Sequence, residues 1–161
     1  MAVDYNLYYN AELDGEQLIE KAARTFNLNF EKIPRQKVME FDLSTIGVYV
    51  YILNYSETKC KIKSGDYLFR KSITFAQHKG FGDASVRRKA LLKIILNLME
   101  KFITGAVFLC NGEIILLLKE NESTLKINAE DGFFDHGVSE ILDGYNYQCE
   151  YYNEADFMPY L

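Results

Sequence analysis

Between Asp83 and Asn128 the hydrophobic period changes once, from that of a helix to that of strands, and the change leaves few folds open. Asp83 is a good N-cap, and Leu91, Ile94, Ile95, Leu98, Met99 and Phe102 then recur at the spacing of one helix face. Leu92, Leu96 and Ile103 widen that face, so the helix is expected to be largely buried. Gly105 is read as its stop after Thr104. Ala106-Val-Phe-Leu-Cys110 and Ile114-Ile-Leu-Leu-Leu118 then flank Asn111-Gly112, a pair suited to a type I′ turn because both residues tolerate positive φ. Unbroken aliphatic runs of this kind belong to strands covered on both faces. Thr124–Asn128 is expected to return beside them after the polar turn 120–123, which completes a three-stranded meander.

The rest of the chain adds strands and a second helix. Val3, Tyr5, Leu7 and Tyr9 alternate with polar residues as one face of a strand. Asp14 caps a helix to about Thr25, with Leu18, Ile19, Ala22, Ala23 and Phe26 as its packing stripe. Residues 27–36 are polar and contain Pro34, and they read as a loop. Val38–Leu43 and Val48–Leu53 are strands around a turn at Thr45–Gly47. Residues 54–66 read as polar and irregular, and Tyr67–Phe75 as one partly exposed strand. The fold class that follows is α+β: an antiparallel or mixed sheet of about five to seven strands packed on the long helix (83–104) and the N-terminal helix (14–25). With 161 residues, 48% of them hydrophobic, one domain spanning 1–161 can bury a core without disulfides or metals.

Composition narrows the function classes. The three cysteines, Cys60, Cys110 and Cys149, are odd in number and far apart, which speaks against a disulfide framework and for a reducing cytoplasm. Met1–Asn6 lacks the features of a secretory leader, and charged or polar residues interrupt the long helix too often for it to span a bilayer. Gly80-Phe81-Gly82 precedes a helix, but Ser85 stands where a dinucleotide loop needs Gly or Ala, and Asp83 would set a carboxylate against the phosphate. Cys60 or Cys110 with His78 would make a nucleophilic set, yet neither thiol has a catalytic signature around it. Asp131, Asp135 and His136 are a weak metal set, since neighbouring side chains point apart. Arg87-Arg88-Lys89 and Lys93 give a basic patch too small, in a chain of net charge −5, for direct nucleic-acid binding. No catalytic, cofactor or metal residues are therefore assigned, and the chain is read as a non-enzyme.

Charge is distributed unevenly. From Ala129 onward there are eight acidic residues and no Lys or Arg, whereas the preceding residues carry 18 cations against 15 acids, a net +3. The same segment is rich in Tyr and Phe. Rings that bury area at low entropic cost amid carboxylates that attract a basic partner can form an interface. The competing reading is a solvated edge strand whose acids serve solubility. The expected partner-binding residues are Asp135, Glu140, Asp143, Tyr145, Tyr147, Glu150, Tyr151, Tyr152, Glu154 and Asp156.

The opening strand Asp4–Tyr9, the Glu-containing first helix, the long helix from Ala84 to Phe102 and the hairpin Ala106–Leu118 occur in an order that resembles the small bacterial immunity proteins encoded beside polymorphic or contact-dependent toxins. That resemblance covers most of the chain. It implies a cytoplasmic protein that binds a cognate toxin, such as a nuclease, and blocks its active or substrate-contact surface without chemistry or cofactor of its own. A basic toxin domain is then the expected partner, with no membrane or direct nucleic-acid contact. A non-enzymatic adaptor is the alternative, and a small enzyme or nucleic-acid binder ranks behind it.

Overall fold

Alternation in the first strand places it at the centre of the molecule. The computed structural model describes residues 3–53, 57–78, 82–121, 124–129, 132–134 and 138–160. Strand β1 (Asp4–Ala11) buries Tyr5, Leu7 and Tyr9 on one face. Helix α1 (Gly15–Thr25) begins at Asp14, whose carboxylate accepts from the Gln17 N–H at 2.9 Å while the Gln17 side chain accepts from the Asp14 N–H at 3.1 Å. This reciprocal capping satisfies two of the orphan donors at the helix start. Gly15 is needed for packing: a Cβ there would lie 2.7 Å from Ile52 Cγ2.

Strands β2 (Glu31–Pro34), β3 (Val38–Leu43), β4 (Val48–Leu53), β5 (Thr58–Ile62), β6 (Gly65–Phe69) and β7 (Lys71–Gln77) follow. Helix α2 (Ala84–Lys101) is capped by Asp83, whose side chain accepts from the Ser85 N–H at 2.8 Å. Leu91, Leu92, Ile94, Ile95, Leu96, Leu98 and Met99 are buried along it, as the periodicity predicts. The helix ends at Lys101 rather than Thr104, because strand β8 (Ile103–Cys110) starts almost at once and takes Thr104 and Gly105 into the sheet. Lys119 reaches back to the carbonyls of Met99 and Ile103, so a cation meets the negative end of α2.

Strands β9 (Ile114–Glu120) and β10 (Thr124–Asn128) complete the meander. Asn111 and Gly112 take φ of 52° and 71°, and the Glu113 N–H donates to the Cys110 carbonyl at 3.1 Å. Both central residues in the left-handed region are what a type I′ turn requires. Strand β11 (Tyr147–Glu150) and strand β12 (Phe157–Pro159) close the chain.

These strands form a nine-stranded sheet in the order β11-β10-β9-β8-β1-β7-β4-β3-β2 and a three-stranded sheet in the order β12-β5-β6. The α+β class holds, with more strands than the five to seven expected. All pairings are antiparallel except β10 with β11. Both helices cover one face of the large sheet, over Leu7, Tyr9, Val50, Ile52, Ile73, Phe75 and Phe108. On the other face the small sheet packs Cys60, Ile62, Phe69 and Phe157 against Val107, Leu109, Ile115 and Leu118. Strands β8 and β9 are thus covered on both sides, which accounts for their unbroken aliphatic runs. A bulge after Phe108 lets Leu116 and Leu117 both face the helices.

Three expectations are corrected. Residues 27–36 contain strand β2, an exposed sheet edge whose side chains meet solvent and so carry no alternation. Residues 54–66 contain β5, with Cys60 and Ile62 inward and Lys59 and Lys61 outward. The single strand expected over Tyr67–Phe75 is two strands, because the chain leaves the small sheet after Phe69 and enters the large one at Lys71.

Candidate functional site

The C-terminal segment is fixed to the rest of the fold by buried anchors. After β10, Phe133 and Phe134 are buried, with Phe133 edge-on to Tyr5 at 5.7 Å and to Phe108 at 6.4 Å between ring centroids. A short 3-10 stretch, Val138–Gly144, then buries Leu142 in the core beneath α2. Past β11, Tyr152 is only 4% exposed, and its backbone is tied to Asn128. Asn128, itself 1% exposed, donates from Nδ2 to the carbonyls of Ile115 (2.8 Å) and Tyr152 (3.0 Å) and accepts from the Tyr152 N–H (3.4 Å). Asp156 accepts from the Asn153 N–H at 2.7 Å while the Asn153 side chain accepts from the Ala155 N–H at 2.9 Å, a second capped turn, and β12 then pairs with β5. The segment is a strap that holds the small sheet against the large one.

This anchoring divides the expected interface residues. Glu140, Asp143, Tyr147, Tyr151 and Glu154 are exposed. Tyr151 presents most, at 67%, and Tyr147 is 39% exposed. Met158 and Tyr160, absent from the sequence-based set, are also exposed, on and just after β12. Four of the seven exposed large hydrophobic side chains among the described residues therefore lie between 147 and 160. Scattered single exposures are ordinary; such a concentration amid carboxylates is not.

The remaining expected residues are engaged within the chain. The Tyr152 ring belongs to the core shared by the two sheets. Tyr145 is half-buried against the main core, beside Leu96, Met99 and Glu100. Its phenol is raised by burial and then by the Glu100 charge. Asp156 is occupied by its cap. Asp135 lies outside the described residues, as do Asp131 and His136 of the weak metal set.

Glu150 has no cation near it along the segment but meets two from elsewhere in the chain. Its carboxylate accepts from the Tyr152 hydroxyl at 2.9 Å and sits 3.8 Å from Lys63 Nζ and 3.9 Å from Lys126 Nζ. Lys63 lies 4.8 Å from the centroid of the Tyr152 ring, and Lys126 is also 3.5 Å from Glu120, which accepts from the Tyr67 hydroxyl at 2.5 Å. Two cations and two carboxylates thus balance around a cleft of about 270 Å³ between the sheets. Burial first, and the adjacent carboxylates second, push both the Tyr67 and Tyr152 phenols far up, so each stays a donor at neutral pH. The sequence hid this cluster because Lys63 and Lys126 are distant from Glu150 along the chain.

The other chemical candidates take structural partners. His78 Nε2 is 3.4 Å from Asp42, and its ring stacks on Tyr49 at 3.8 Å. Cys60 is fully buried, and desolvation pushes its thiol up to about 11, away from the reactive thiolate. Cys110 is half-buried at the end of β8 and Cys149 is exposed on β11, and none of the three cysteines is in a disulfide. Gly80 and Phe81 lie outside the described residues. Arg87 donates to the His78 carbonyl at 3.3 Å and Arg88 to that of Ala84 at 3.4 Å, which spends part of the small basic patch on local contacts. No helix among the described residues is long and apolar enough to cross a membrane.

Fold and surface together define an α+β protein that carries exposed aromatic and acidic side chains on a firmly anchored C-terminal strap. A family model described as SitI3-like matches residues 3–137, and the chain belongs to that family. SitI-type proteins are immunity proteins of toxin systems. The matched span ends before Val138, so Glu140 and everything beyond it lie outside it. No curated protein and no solved structure matches the chain.

Proposed function

We propose that this protein binds a cognate secreted bacterial toxin and neutralises it by covering the toxin's active or substrate-binding surface, without turnover of its own. Family membership supports the class. The observation that carries the placement is the coincidence of Tyr147, Tyr151, Met158 and Tyr160 with Glu140, Asp143 and Glu154 on one strap, all exposed. Aromatic side chains supply the desolvated centre of an interface, and unpaired carboxylates at its rim steer a basic partner inward and quicken association. A nuclease toxin fits this chemistry, because a surface that grips phosphates would accept carboxylates in their place. The protein acts in the cytoplasm, where its three thiols remain reduced.

Co-expression with the product of the neighbouring toxin gene, followed by affinity capture, tests the reading. The expected result is a stable complex in which the toxin has lost its activity. A toxin that is not captured, or is captured fully active, would overturn it.

A further inference from the structure

The two sheets have four edges, and three are closed by their own residues. At β2, Pro34 lacks an N–H, Glu31 and Lys32 add charge, and Lys32 is held by Glu16 and Glu20. At β6, Asn10 donates to the Leu68 carbonyl at 2.9 Å and accepts from the Arg70 N–H at 2.9 Å. At β12, the strand is three residues long and ends in Pro159. Proline, charge, short length and a covering side chain are the usual means of blunting an edge.

Strand β11 is different. The Ala129 N–H donates to the Glu150 carbonyl at 2.9 Å, so the Glu150 backbone faces β10. Alternation along a strand then turns the Gln148 backbone inward as well and aims the N–H and C=O groups of Tyr147 and Cys149 away from the sheet. β11 ends the sheet order, and Tyr147, Gln148 and Cys149 are all exposed, with neither Pro nor Lys among them. Exposed Glu140 and Asp143 precede this edge and exposed Glu154 follows it.

We infer that the toxin docks by strand addition: an extended, basic segment of it pairs with the outer edge of β11. This deepens the proposed function and rests on that reading. Backbone groups of Tyr147 and Cys149 fix the register of the incoming segment, while Tyr147 and Tyr151 pack on its side chains and the three carboxylates select Lys and Arg. Each backbone hydrogen bond changes affinity by about three- to tenfold, so the edge orients the partner and the side chains supply most of the strength.

The test uses the full chain and the purified toxin domain encoded beside it. Cys149→Pro removes one outward N–H and leaves the pairing with β10 in place, and Cys149→Ser keeps the backbone intact. Cys149→Pro is expected to weaken binding about tenfold, with Cys149→Ser changing it less than about twofold. In the wild-type complex, the amides of Tyr147 and Cys149 are expected to exchange with deuterium about tenfold or more slowly than in the free protein. That measurement does not depend on the proline variant folding. Unchanged exchange at both amides overturns strand addition. If Asp143→Asn, Glu154→Gln and Tyr151→Ala still weaken binding, the toxin meets the strap through side chains alone. If those three are also neutral, the proposed surface fails with it. A free protein that dimerises through β11, with Cys149→Pro making it monomeric, would assign the edge to a second copy and overturn the inference.

Discussion

Asn128→Ala is the substitution that most directly probes how the strap is held. The Asn128 side chain supplies two donors, to Ile115 and Tyr152, and one longer acceptor contact with the Tyr152 N–H, all at a site 1% exposed. Truncation deprives these backbone groups of the Asn128 side chain at a site almost closed to solvent. A buried group deprived of its partner costs about 1–3 kcal/mol, and the carbonyls keep some compensation through their second lone pairs, so the expected loss is about 2–3 kcal/mol. Equilibrium urea unfolding reads this as a midpoint lower by about 1 M at an unchanged slope, with m near 2 kcal/mol/M. Because the same bonds tie Tyr152 to β9 and β10, amides of 147–160 are expected to exchange faster in the variant than those of β1 and β8. A loss below about 0.5 kcal/mol, the range of ordinary surface substitutions, would refute the claim that Asn128 bolts the strap to the sheet.

Three further outcomes are expected. Ile95→Asp places a carboxylate at a fully buried position on α2 and is expected to cost several kcal/mol, so an unchanged urea midpoint would contradict the burial of that helix face. Gly15→Ala, which helix propensity alone would favour, is expected to destabilise by about 1–2 kcal/mol because its Cβ would lie 2.7 Å from Ile52 Cγ2; a gain in stability would show that the contact yields freely. Burial holds the Cys60 thiol up to about 11 against its usual 9.0, so the unfolded chain releases this proton first and stability falls as pH rises from 9 to 11. Melting temperatures across that range are expected to drop less steeply in Cys60→Ala, and an equal drop would assign the alkaline loss to Tyr67 and Tyr152, whose phenols are raised in the same sense.

What could be read in the sequence follows from where each segment lies. Both helix starts were legible because Asp14 and Asp83 carry the caps and the apolar stripes behind them face a core. The Asn111-Gly112 turn was legible because its chemistry is local. Strands β2 and β5 were not. The first is exposed, and the second, Thr58-Lys59-Cys60-Lys61-Ile62, buries only Cys60 and Ile62, which alternate with two lysines. The division of β6 from β7 was hidden because Arg70 is neither Gly nor Pro, and the change of sheet is a tertiary event. The candidate interface was half legible for the same reason. Its composition pointed to residues 135–156, but only long-range partners reveal that Glu150 is balanced by Lys63 and Lys126 and that Tyr152 faces the core. Met158 and Tyr160 fall outside the expected set because nothing local shows which side chains of β12 and the residue after it meet solvent.

The central claim is that the exposed acids and rings of the strap receive a basic toxin, and association kinetics test it most directly. Binding of the purified toxin domain is measured for the wild type, for Asp143→Asn/Glu154→Gln, and for Tyr151→Ala over a range of salt concentrations. The expected result is a wild-type on-rate that falls steeply with salt, a slower and less salt-sensitive on-rate for the double carboxamide variant, and a faster off-rate for Tyr151→Ala costing about 2 kcal/mol. Identical rates and identical salt dependence for all three proteins would contradict the account.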